Sequence, residues 1–148
     1  MKMRVWCVCG LLALAAGCAH LEMEEDDVTA DQTFVLHPIG TVLKEDGRTY
    51  IALEKEYEPG LLGLENFSHV TVLYWFHLND TPEKRAVLQV HPQGNLANPI
   101  RGVFATHSPV RPNLIAISRC KILAVRDNVI EIDGIDAFAD TPVLDLKN

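Results

Sequence analysis

The chain has 148 residues, of which 48% are apolar and 22% are charged. This length suits a single domain with one hydrophobic core, and the composition excludes a disordered or collagen-like chain. Thirteen basic and twenty acidic residues give a net charge of −7, which argues against a basic clamp for nucleic acid.

The N-terminus carries the pattern of an export signal. Lys2 and Arg4 begin an apolar segment whose uncharged run, residues 5–16, is shorter than the roughly 20 residues that a membrane-spanning helix needs. Small residues follow, and then Cys18, an arrangement that resembles a bacterial lipobox. We therefore expect an exported protein with lipid on Cys18, anchored to the cell envelope membrane on its periplasmic side. A plain cleaved signal, or a translation start at Met23 that leaves the domain in the cytoplasm, are the alternatives.

This interpretation divides the chain into three segments. Residues 1–17 are the predicted lipoprotein signal peptide, residues 18–33 are the lipidated cysteine with an acidic tether, and residues 34–148 are the folded domain. Six acidic residues between positions 22 and 31 follow no apolar period, as expected of a solvated linker. Cys120 is the only cysteine in the predicted domain, so the domain has no partner for an intramolecular disulfide.

From position 34 onward the sequence has β character. Short apolar and β-branched runs bounded by turn residues predict strands over 34–43, 48–53, 70–78, 86–90, 100–105, 121–125, 129–133 and 143–146. The segment 56–65 predicts one short helical turn, and Arg126-Asp127-Asn128 predicts the turn of a β-hairpin. Seven or eight short strands with little helix indicate a mostly β domain, either a closed barrel or a sandwich.

Six histidines raise the question of a metal site, but their spacing does not support one. In the predicted strand His69 and His77 would share one face, and eight residues at ~3.3 Å each would separate them by roughly 26 Å. The sequence contains no G-x-S-x-G elbow, phosphate-binding glycine loop or H-E-x-x-H helix. His107 and Ser108 are adjacent, so in an extended chain they point to opposite faces and make a poor base–nucleophile pair. We therefore predict no metal site.

The segment 102–113, which reads Gly-Val-Phe-Ala-Thr-His-Ser-Pro-Val-Arg-Pro-Asn, is the strongest candidate for a functional site. Pro109 and Pro112 fix the backbone and remove two hydrogen-bond donors, so this segment is not an ordinary central strand. A rigid loop with Thr, Ser, Arg and Asn side chains can direct hydrogen-bond donors into a cleft. The alternative is a proline-stiffened connection in which Arg111 pairs with an acidic neighbour.

This segment resembles the motif G-V-F-A-T-x-S-P-x-R-P-N of the TsaA-like family, whose best-known members are the TrmO tRNA methyltransferases. The resemblance extends from Pro38-Ile39-Gly40, through Gly-Leu-Glu-Asn-Phe-Ser-His at 63–69, to the Thr-Pro-Val-Leu-Asp-Leu-Lys run at 141–147. It implies a small closed β-barrel, usually a homodimer, that binds S-adenosylmethionine. The TrmO members methylate the threonylcarbamoyl-modified adenosine beside the tRNA anticodon.

The resemblance also implies which residues form the site. The cofactor-binding residues would be Phe104, Thr106, Ser108, Pro112, Asp136, Thr141, Pro142 and Asp145. The catalytic residues would be Arg111, whose planar guanidinium can hold a carboxylate or a phosphate, and Asn113. The implied chemistry is methyl transfer by proximity, with the donor sulfonium and an acceptor nitrogen held in line.

The chain departs from the family pattern within these motifs. The family usually has arginine at the position of His107, proline at that of Leu114, and glycine at those of Ala116 and Asp140. Two functions therefore stay open. One is an S-adenosylmethionine-dependent tRNA methyltransferase, for which tRNA is a partner only if the domain is cytoplasmic. The other is an exported, non-enzymatic barrel that keeps the cleft and binds another small ligand or a protein.

Overall fold

The computed structural model describes residues 33–148, so the predicted signal peptide and Cys18 lie outside the described residues. The strands are β1 (Gly40–Glu45), β2 (Arg48–Leu53), β3 (His69–Trp75), β4 (Gln89–Val90), β5 (Arg101–Gly102), β6 (Ile115–Arg126), β7 (Val129–Ile132) and β8 (Pro142–Lys147). One α-helix, α1 (Pro82–Arg85), and 3-10 helices over Lys55–Leu61, Leu64–Asn66, His77–Asn79, Pro92–Gly94 and Val103–Ala105 connect them. None of the helices in this part of the chain is long and apolar enough to cross a membrane.

Six strands close into a barrel in the order β1-β2-β7-β6-β3-β8, and every neighbouring pair is antiparallel. Closure removes the unpaired edges that an open sheet would leave. The ring closes between β1 and β8 through two residue pairs, Gly40 with Val143 and Thr41 with Pro142. The mostly β, closed-barrel architecture is therefore confirmed, although β4 and β5 form a separate two-stranded sheet.

Alternate residues of the strands fill the barrel interior. In β3 the side chains of Val70, Val72 and Tyr74 are buried, and the residues between them are half-exposed. This is the two-residue period of a strand with one face toward a core. The core consists of buried, mostly aliphatic side chains: Val42, Ile51, Leu53, Leu61, Val70, Val72, Tyr74, Ala116, Cys120, Ile130, Ile132 and Val143. β3 corresponds to the strand predicted at 70–78, but it ends at Trp75, and His77–Asn79 forms a 3-10 helix instead.

The hairpin that joins β6 to β7 forms where the sequence predicts it. Arg126 pairs with Val129, which leaves a two-residue loop. Asp127 in this loop has a φ of 51°, in the left-handed region that aspartate tolerates better than most residues. β6 is longer than predicted, because residues 115–118 and the predicted strand at 121–125 belong to one strand of 12 residues.

The predicted strand over 34–43 begins later than expected. β1 starts at Gly40, and Val35 is 73% exposed rather than part of the core. Pro38 has no N–H to donate to a neighbouring strand, which prevents regular pairing ahead of β1. The first part of that prediction is therefore wrong.

The predicted strands over 86–90 and 100–105 supply less sheet than expected. They contain only the two-residue strands β4 and β5, which pair with each other outside the barrel. Val103–Ala105 forms a 3-10 helix instead of a strand. Leu88 is 57% exposed, because a short paired segment outside the ring has no second layer to bury its apolar side chains. The segment 86–105 is termed the flap below.

Cys120 is buried in the core, where burial and, secondarily, the Asp133 carboxylate raise the pKa of its thiol to about 11. Because the thiolate is the reactive form, we expect the folded protein to resist iodoacetamide at Cys120 at pH 8. Unfolding in guanidinium should make the same thiol react fully. Mass spectrometry of the Cys120 peptide measures both states, and rapid alkylation of the folded protein would contradict the expectation.

Candidate functional site

One mouth of the barrel, where β3 ends and β8 begins, opens into a cleft. Two adjoining cavities of about 260 Å³ and about 140 Å³ share the lining residues Tyr74, Phe76, His107 and Asp136; together they are termed the mouth cleft. Small-molecule sites in proteins start near ~300 Å³, so the pair is large enough for a small ligand. Within residues 33–148, no group of three His, Cys, Asp or Glu side chains is placed to hold a metal ion.

The loop singled out from the sequence forms one wall of the mouth cleft. Thr106 Oγ1 donates to the Val103 carbonyl (3.1 Å) and accepts the backbone N–H of Ser108 (3.3 Å). The Ser108 hydroxyl in turn accepts the N–H of Val110 (3.3 Å). Both hydroxyls therefore hold the shape of the loop. Their role in binding the cofactor stays a prediction.

Arg111 ties this loop to the barrel. Its guanidinium donates to the carbonyls of Val103 (2.8 Å), Thr106 (3.2 Å) and Ile115 (3.4 Å). A planar fork of donors lets one arginine reach several carbonyls at once. Within residues 33–148 its partners are these backbone oxygens and not the acidic neighbour that the sequence left open. Arg111 is thus a positioning residue, and a direct role in catalysis stays a prediction.

A second arginine braces the loop from α1. Arg85 donates to the Pro112 carbonyl (2.8 Å) and to one oxygen of Asp80 (2.8 Å). Its guanidinium lies 5.2 Å from the centre of the Trp75 ring, and Trp75 donates its indole N–H to the other Asp80 oxygen (3.2 Å). The hydrogen bonds from Arg85 and then Trp75 lower the pKa of the Asp80 carboxyl. The backbone at Pro112 is therefore fixed by a charged and aromatic cluster.

The connection between β7 and β8 forms the opposite wall. Tyr74 donates its hydroxyl to the backbone carbonyl of Asp136 (2.7 Å) and lies 3.2 Å from the Ser118 hydroxyl. Burial raises the pKa of the Tyr74 hydroxyl, so it remains a neutral donor. Thr141 is buried and lines the larger cavity. The structure therefore brings two predicted cofactor residues, Asp136 and Thr141, to the same cleft as Arg111.

We expect Tyr74→Phe to lower the free energy of unfolding by about 1 kcal/mol, because the ring still fills the core while the Asp136 carbonyl loses its donor. Urea denaturation followed by circular dichroism measures the change. An unfolding midpoint equal to that of the wild type would show that the hydroxyl does not hold the Asp136 wall.

Seven predicted site residues do not line the mouth cleft: Thr106, Ser108 and Pro112, whose contacts are described above, and Phe104, Asn113, Pro142 and Asp145. Phe104 is 80% exposed, Asn113 is exposed at the end of the loop, and Pro142 is the first residue of β8. Asp145 lies farther along β8 and forms an ion pair with Lys147 at 2.8 Å. It lines a separate cavity of about 420 Å³ together with residues from the 3-10 helices at 55–61 and 64–66.

Sequence patterns do not reveal the aromatic lining of the mouth cleft. Trp75 and Phe76 come from the end of the run predicted as the central strand, and Phe138 comes from the segment before β8. The run Tyr74-Trp75-Phe76 nevertheless held a signal that could have identified the lining, because consecutive aromatic residues in a strand cannot all face one core. Phe76 packs edge-on against Tyr74 with ring centroids 5.8 Å apart. These rings give the cleft apolar walls that suit a flat aromatic ligand.

Two residues that depart from the motifs lie in left-handed backbone. Asp140 has a φ of 61° and Leu114 a φ of 49°. Glycine adopts this region freely, aspartate tolerates it, and leucine adopts it only at a cost in free energy. The Leu114 side chain is fully buried, and this burial offsets the backbone strain.

We expect Asp140→Gly to raise the free energy of unfolding by about 0.5 kcal/mol. Glycine takes a φ of 61° without steric cost, and the residue keeps its backbone N–H bond to the Val42 carbonyl (2.8 Å). Asp140→Ala is the matched control, because it removes the charge but keeps the Cβ. Thermal and urea denaturation should rank the glycine variant above the alanine variant, and the reverse order would contradict the argument from backbone strain.

A sequence profile of the tRNA-methyltransferase O N-terminal domain matches residues 32–148 of the chain. The chain belongs to this family. The chain is 46% identical over 114 residues to a probable S-adenosyl-L-methionine-binding protein of Methanocaldococcus jannaschii, a match that covers 77% of this chain and 90% of that protein. It is also 44% identical over 90 residues to a human tRNA (adenine(37)-N6)-methyltransferase, covering 61% of this chain and 20% of the human protein.

The fold of the chain is shared with solved structures. The crystal structure of TrmO from Pseudomonas aeruginosa superimposes with a TM-score of 0.58 at 27% identity, covering 78% of this chain and 55% of that one. The chain thus spans about half of the crystallised TrmO and one fifth of the human enzyme. The family and the barrel that the motifs implied are both confirmed.

Proposed function

We propose that this domain binds S-adenosyl-L-methionine in the mouth cleft and transfers a methyl group to an adenosine of tRNA. The observation that carries the proposal is the position of the motif residues Arg111, Asp136 and Thr141 around one cleft with aromatic walls. The names of the relatives support it, because the archaeal protein is named for binding S-adenosyl-L-methionine and the human one for methylating tRNA adenine.

The residues of the cleft fit this cofactor. Aromatic rings suit its adenine, and the Asp136 carboxylate suits a positively charged sulfonium. When bound, S-adenosyl-L-methionine supplies an electrophilic methyl group. Asp136 and His107 both line the cleft, and either side chain is suited to accept the proton that the methylated nitrogen releases. Arg111 fixes the loop that orients donor and acceptor.

The distribution of charge supports an RNA partner despite the net charge of −7. Six of the twenty acidic residues precede position 33, so residues 33–148 hold eleven basic and fourteen acidic residues, a net charge of −3. Residues 84–126 contain seven basic residues and no acidic residue. This stretch includes the flap, the cleft loop and β6. Positive charge is therefore concentrated in one segment of the chain, from which Arg111 and three residues of β6 line the cleft.

Titration calorimetry with S-adenosyl-L-methionine tests the cofactor site. We expect saturable binding by the wild type and an at least tenfold loss of affinity in Asp136→Asn. Asp145→Asn is the matched control: it makes the same chemical change ~13 Å from Thr141 along β8 and should keep the affinity. Absence of heat from the wild type at millimolar ligand would contradict the proposal, and loss in Asp145→Asn alone would move the site to the other cavity.

Methyl transfer is tested separately by incubating the protein with tRNA and S-adenosyl-L-methionine that carries a tritiated methyl group. Radioactivity incorporated into adenosine, and its loss in Asp136→Asn, would support transfer in the mouth cleft. A protein that binds the cofactor but labels no tRNA would restrict the function to binding.

We further propose that residues 1–17 direct export and that Cys18 carries a lipid. The support is the apolar run that follows Lys2 and Arg4 and ends in small residues before the cysteine. Growth of cells with a radioactive fatty acid tests the proposal, and Cys18→Ser is the control. Label on the wild type alone supports the envelope location. Unlabelled, soluble protein that begins at Met23 would contradict it.

The export-type N-terminus favours a second candidate function. An exported member of the family works where neither tRNA nor S-adenosyl-L-methionine is expected, so its barrel would bind another small ligand or a protein without methyl transfer. Lipid on Cys18 together with no calorimetric response to S-adenosyl-L-methionine would support this candidate. Saturable cofactor binding and labelled tRNA would contradict it.

We also propose a homodimer, as the family resemblance implies. Two apolar side chains of the flap support this proposal, since Leu96 and Phe104 are each 80% exposed. Exposed apolar patches mark surfaces that a partner subunit covers. Sedimentation velocity of the wild type should give a dimer, and Leu96→Asp combined with Phe104→Asp should give a monomer. A monomeric wild type would contradict the proposal.

A further inference from the structure

The outer surface of β6 carries a row of exposed side chains. Ile117, Arg119, Lys121 and Leu123 occupy alternate positions and point away from the barrel interior. Ile117 also lines the mouth cleft. Alternate residues of a strand are ~6.6 Å apart, so Arg119 lies ~7 Å and Lys121 ~13 Å beyond Ile117. The row therefore begins at the cleft and leads away from it.

The neighbouring strands add positive charge to the same surface. Arg119 is paired with Thr71 of β3, and Thr71 is paired on its other side with Lys147 of β8. Lys121 is paired with His69. Because directly opposed residues place their side chains on the same face of a sheet, Arg119, Lys121 and Lys147 share one outer surface. This surface is termed the β6 track.

Two carboxylates lie beside the three cations of the β6 track, but neither forms an ion pair with Arg119 or Lys121. Among the residues that the structure describes, neither Arg119 nor Lys121 has an ion-pair partner, whereas Lys147 pairs with Asp145. Another carboxylate, that of Asp133, accepts the backbone N–H of Lys121 at 2.9 Å. Two exposed and unpaired cations in line favour contact with a polyanion.

We propose that the β6 track binds the phosphates of an RNA strand whose target base enters the mouth cleft. This proposal rests on the proposed function, because the β6 track leads to the mouth cleft at Ile117, where the base to be methylated would bind. Contacts to phosphate fix the position of RNA without reading its bases, so the track supplies affinity and orientation rather than sequence preference. A lipid surface fits less well, since Arg119 and Lys121 separate the apolar side chains that would enter a membrane.

The test compares two double variants of the full chain, Arg119→Glu/Lys121→Glu and the control Lys44→Glu/Arg48→Glu. The control makes the same charge change on β1 and β2, which lie across the ring from β6 and β3. Fluorescence anisotropy measures binding of a labelled tRNA anticodon stem-loop at several salt concentrations. We expect the track variant to lose at least tenfold in affinity, with a log–log salt slope less steep by about 1.5. The control should change the affinity by less than about threefold, a difference typical of a peripheral charge.

Three results would contradict the proposal that the β6 track binds RNA. They are unchanged RNA affinity in the track variant, an equal loss in the control, and absence of RNA binding by the wild type at low salt. Binding of the wild type to vesicles with anionic lipid, lost in the track variant while RNA binding persists, would assign the surface to a membrane instead. Arg119→Gln/Lys121→Gln should also weaken RNA binding, which guards against a fold damaged by the glutamates.

Calorimetry separates this proposal from the proposed function. Both double variants should bind S-adenosyl-L-methionine as the wild type does, because Arg119 and Lys121 do not line the mouth cleft. A wild type that binds RNA through the β6 track but does not bind the cofactor would contradict the proposed function alone.

Discussion

Arg111→Ala is expected to lower the free energy of unfolding by about 2–4 kcal/mol and to abolish S-adenosyl-L-methionine binding at concentrations that saturate the wild type. The wild-type guanidinium joins three carbonyls from two sides of the cleft loop. Hydrogen bonds from a charged group contribute more than neutral ones, and alanine replaces none of them. Urea denaturation followed by Trp75 fluorescence measures stability, because Trp75 borders the larger cavity.

Two further variants distinguish the geometry of Arg111 from its charge. Arg111→Lys keeps the charge, but a single ammonium cannot reach three carbonyls. Most of the loss of stability and of cofactor binding should therefore remain. Arg119→Ala removes an exposed arginine from β6 and should leave the stability within about 0.5 kcal/mol of the wild type. Full stability in Arg111→Lys would show that the planar fork is not what holds the loop.

Gly40→Ala is expected to destabilise the barrel by about 2–3 kcal/mol or to prevent its closure. A Cβ on Gly40 would lie 2.7 Å from the Leu53 Cα and still closer to the Ala52 carbonyl oxygen. Both are backbone atoms of β2, so no side-chain rotation relieves the clash. Gly40 also pairs with Val143 where the ring closes, and a shift of β1 would disturb that contact as well.

Gly60→Ala is the matched control for Gly40→Ala. A Cβ on Gly60 would meet no atom within 4 Å, and its φ lies outside the left-handed region. We therefore expect no loss of stability and a gain of up to about 1 kcal/mol from reduced freedom of the unfolded chain. Urea denaturation of both variants provides the comparison, and equal stability of the two would contradict the steric argument.

The sequence predicts those strands whose apolar side chains pack into the one core of the barrel. β2, β3, β7 and β8 lie where alternating or apolar runs place them, because a strand with one covered face imposes a period of two. The flap shows the limit of this signal. Leu88 is apolar yet 57% exposed, since the pattern reports the character of a side chain and not what covers it. In β6 the charged Arg119 and Lys121 interrupt an apolar run, which conceals one long strand.

The candidate site was predictable in its location but not in its contacts. Two prolines and several polar side chains mark the loop at 102–113, and this loop does form a wall of the cleft. Arg111, however, binds backbone carbonyls, which every residue possesses and no motif marks. The bond from Tyr74 to Asp136 joins positions 62 residues apart. Asp136 and Thr141 were associated with the loop through the family resemblance alone, because sequence spacing carries no information on such distant contacts.

Pro142 affects how readily the barrel opens at the point where its ring closes. It is one of the two β8 residues that close the ring against β1, and it has no N–H to contribute. Amide protons along this junction should exchange with solvent earlier than those of β3, which is bonded on both flanks. Because the neighbouring Thr141 lines the mouth cleft, a ligand bound there would hold the junction of β1 and β8 closed. It would slow amide exchange at this junction and raise the melting temperature of the barrel.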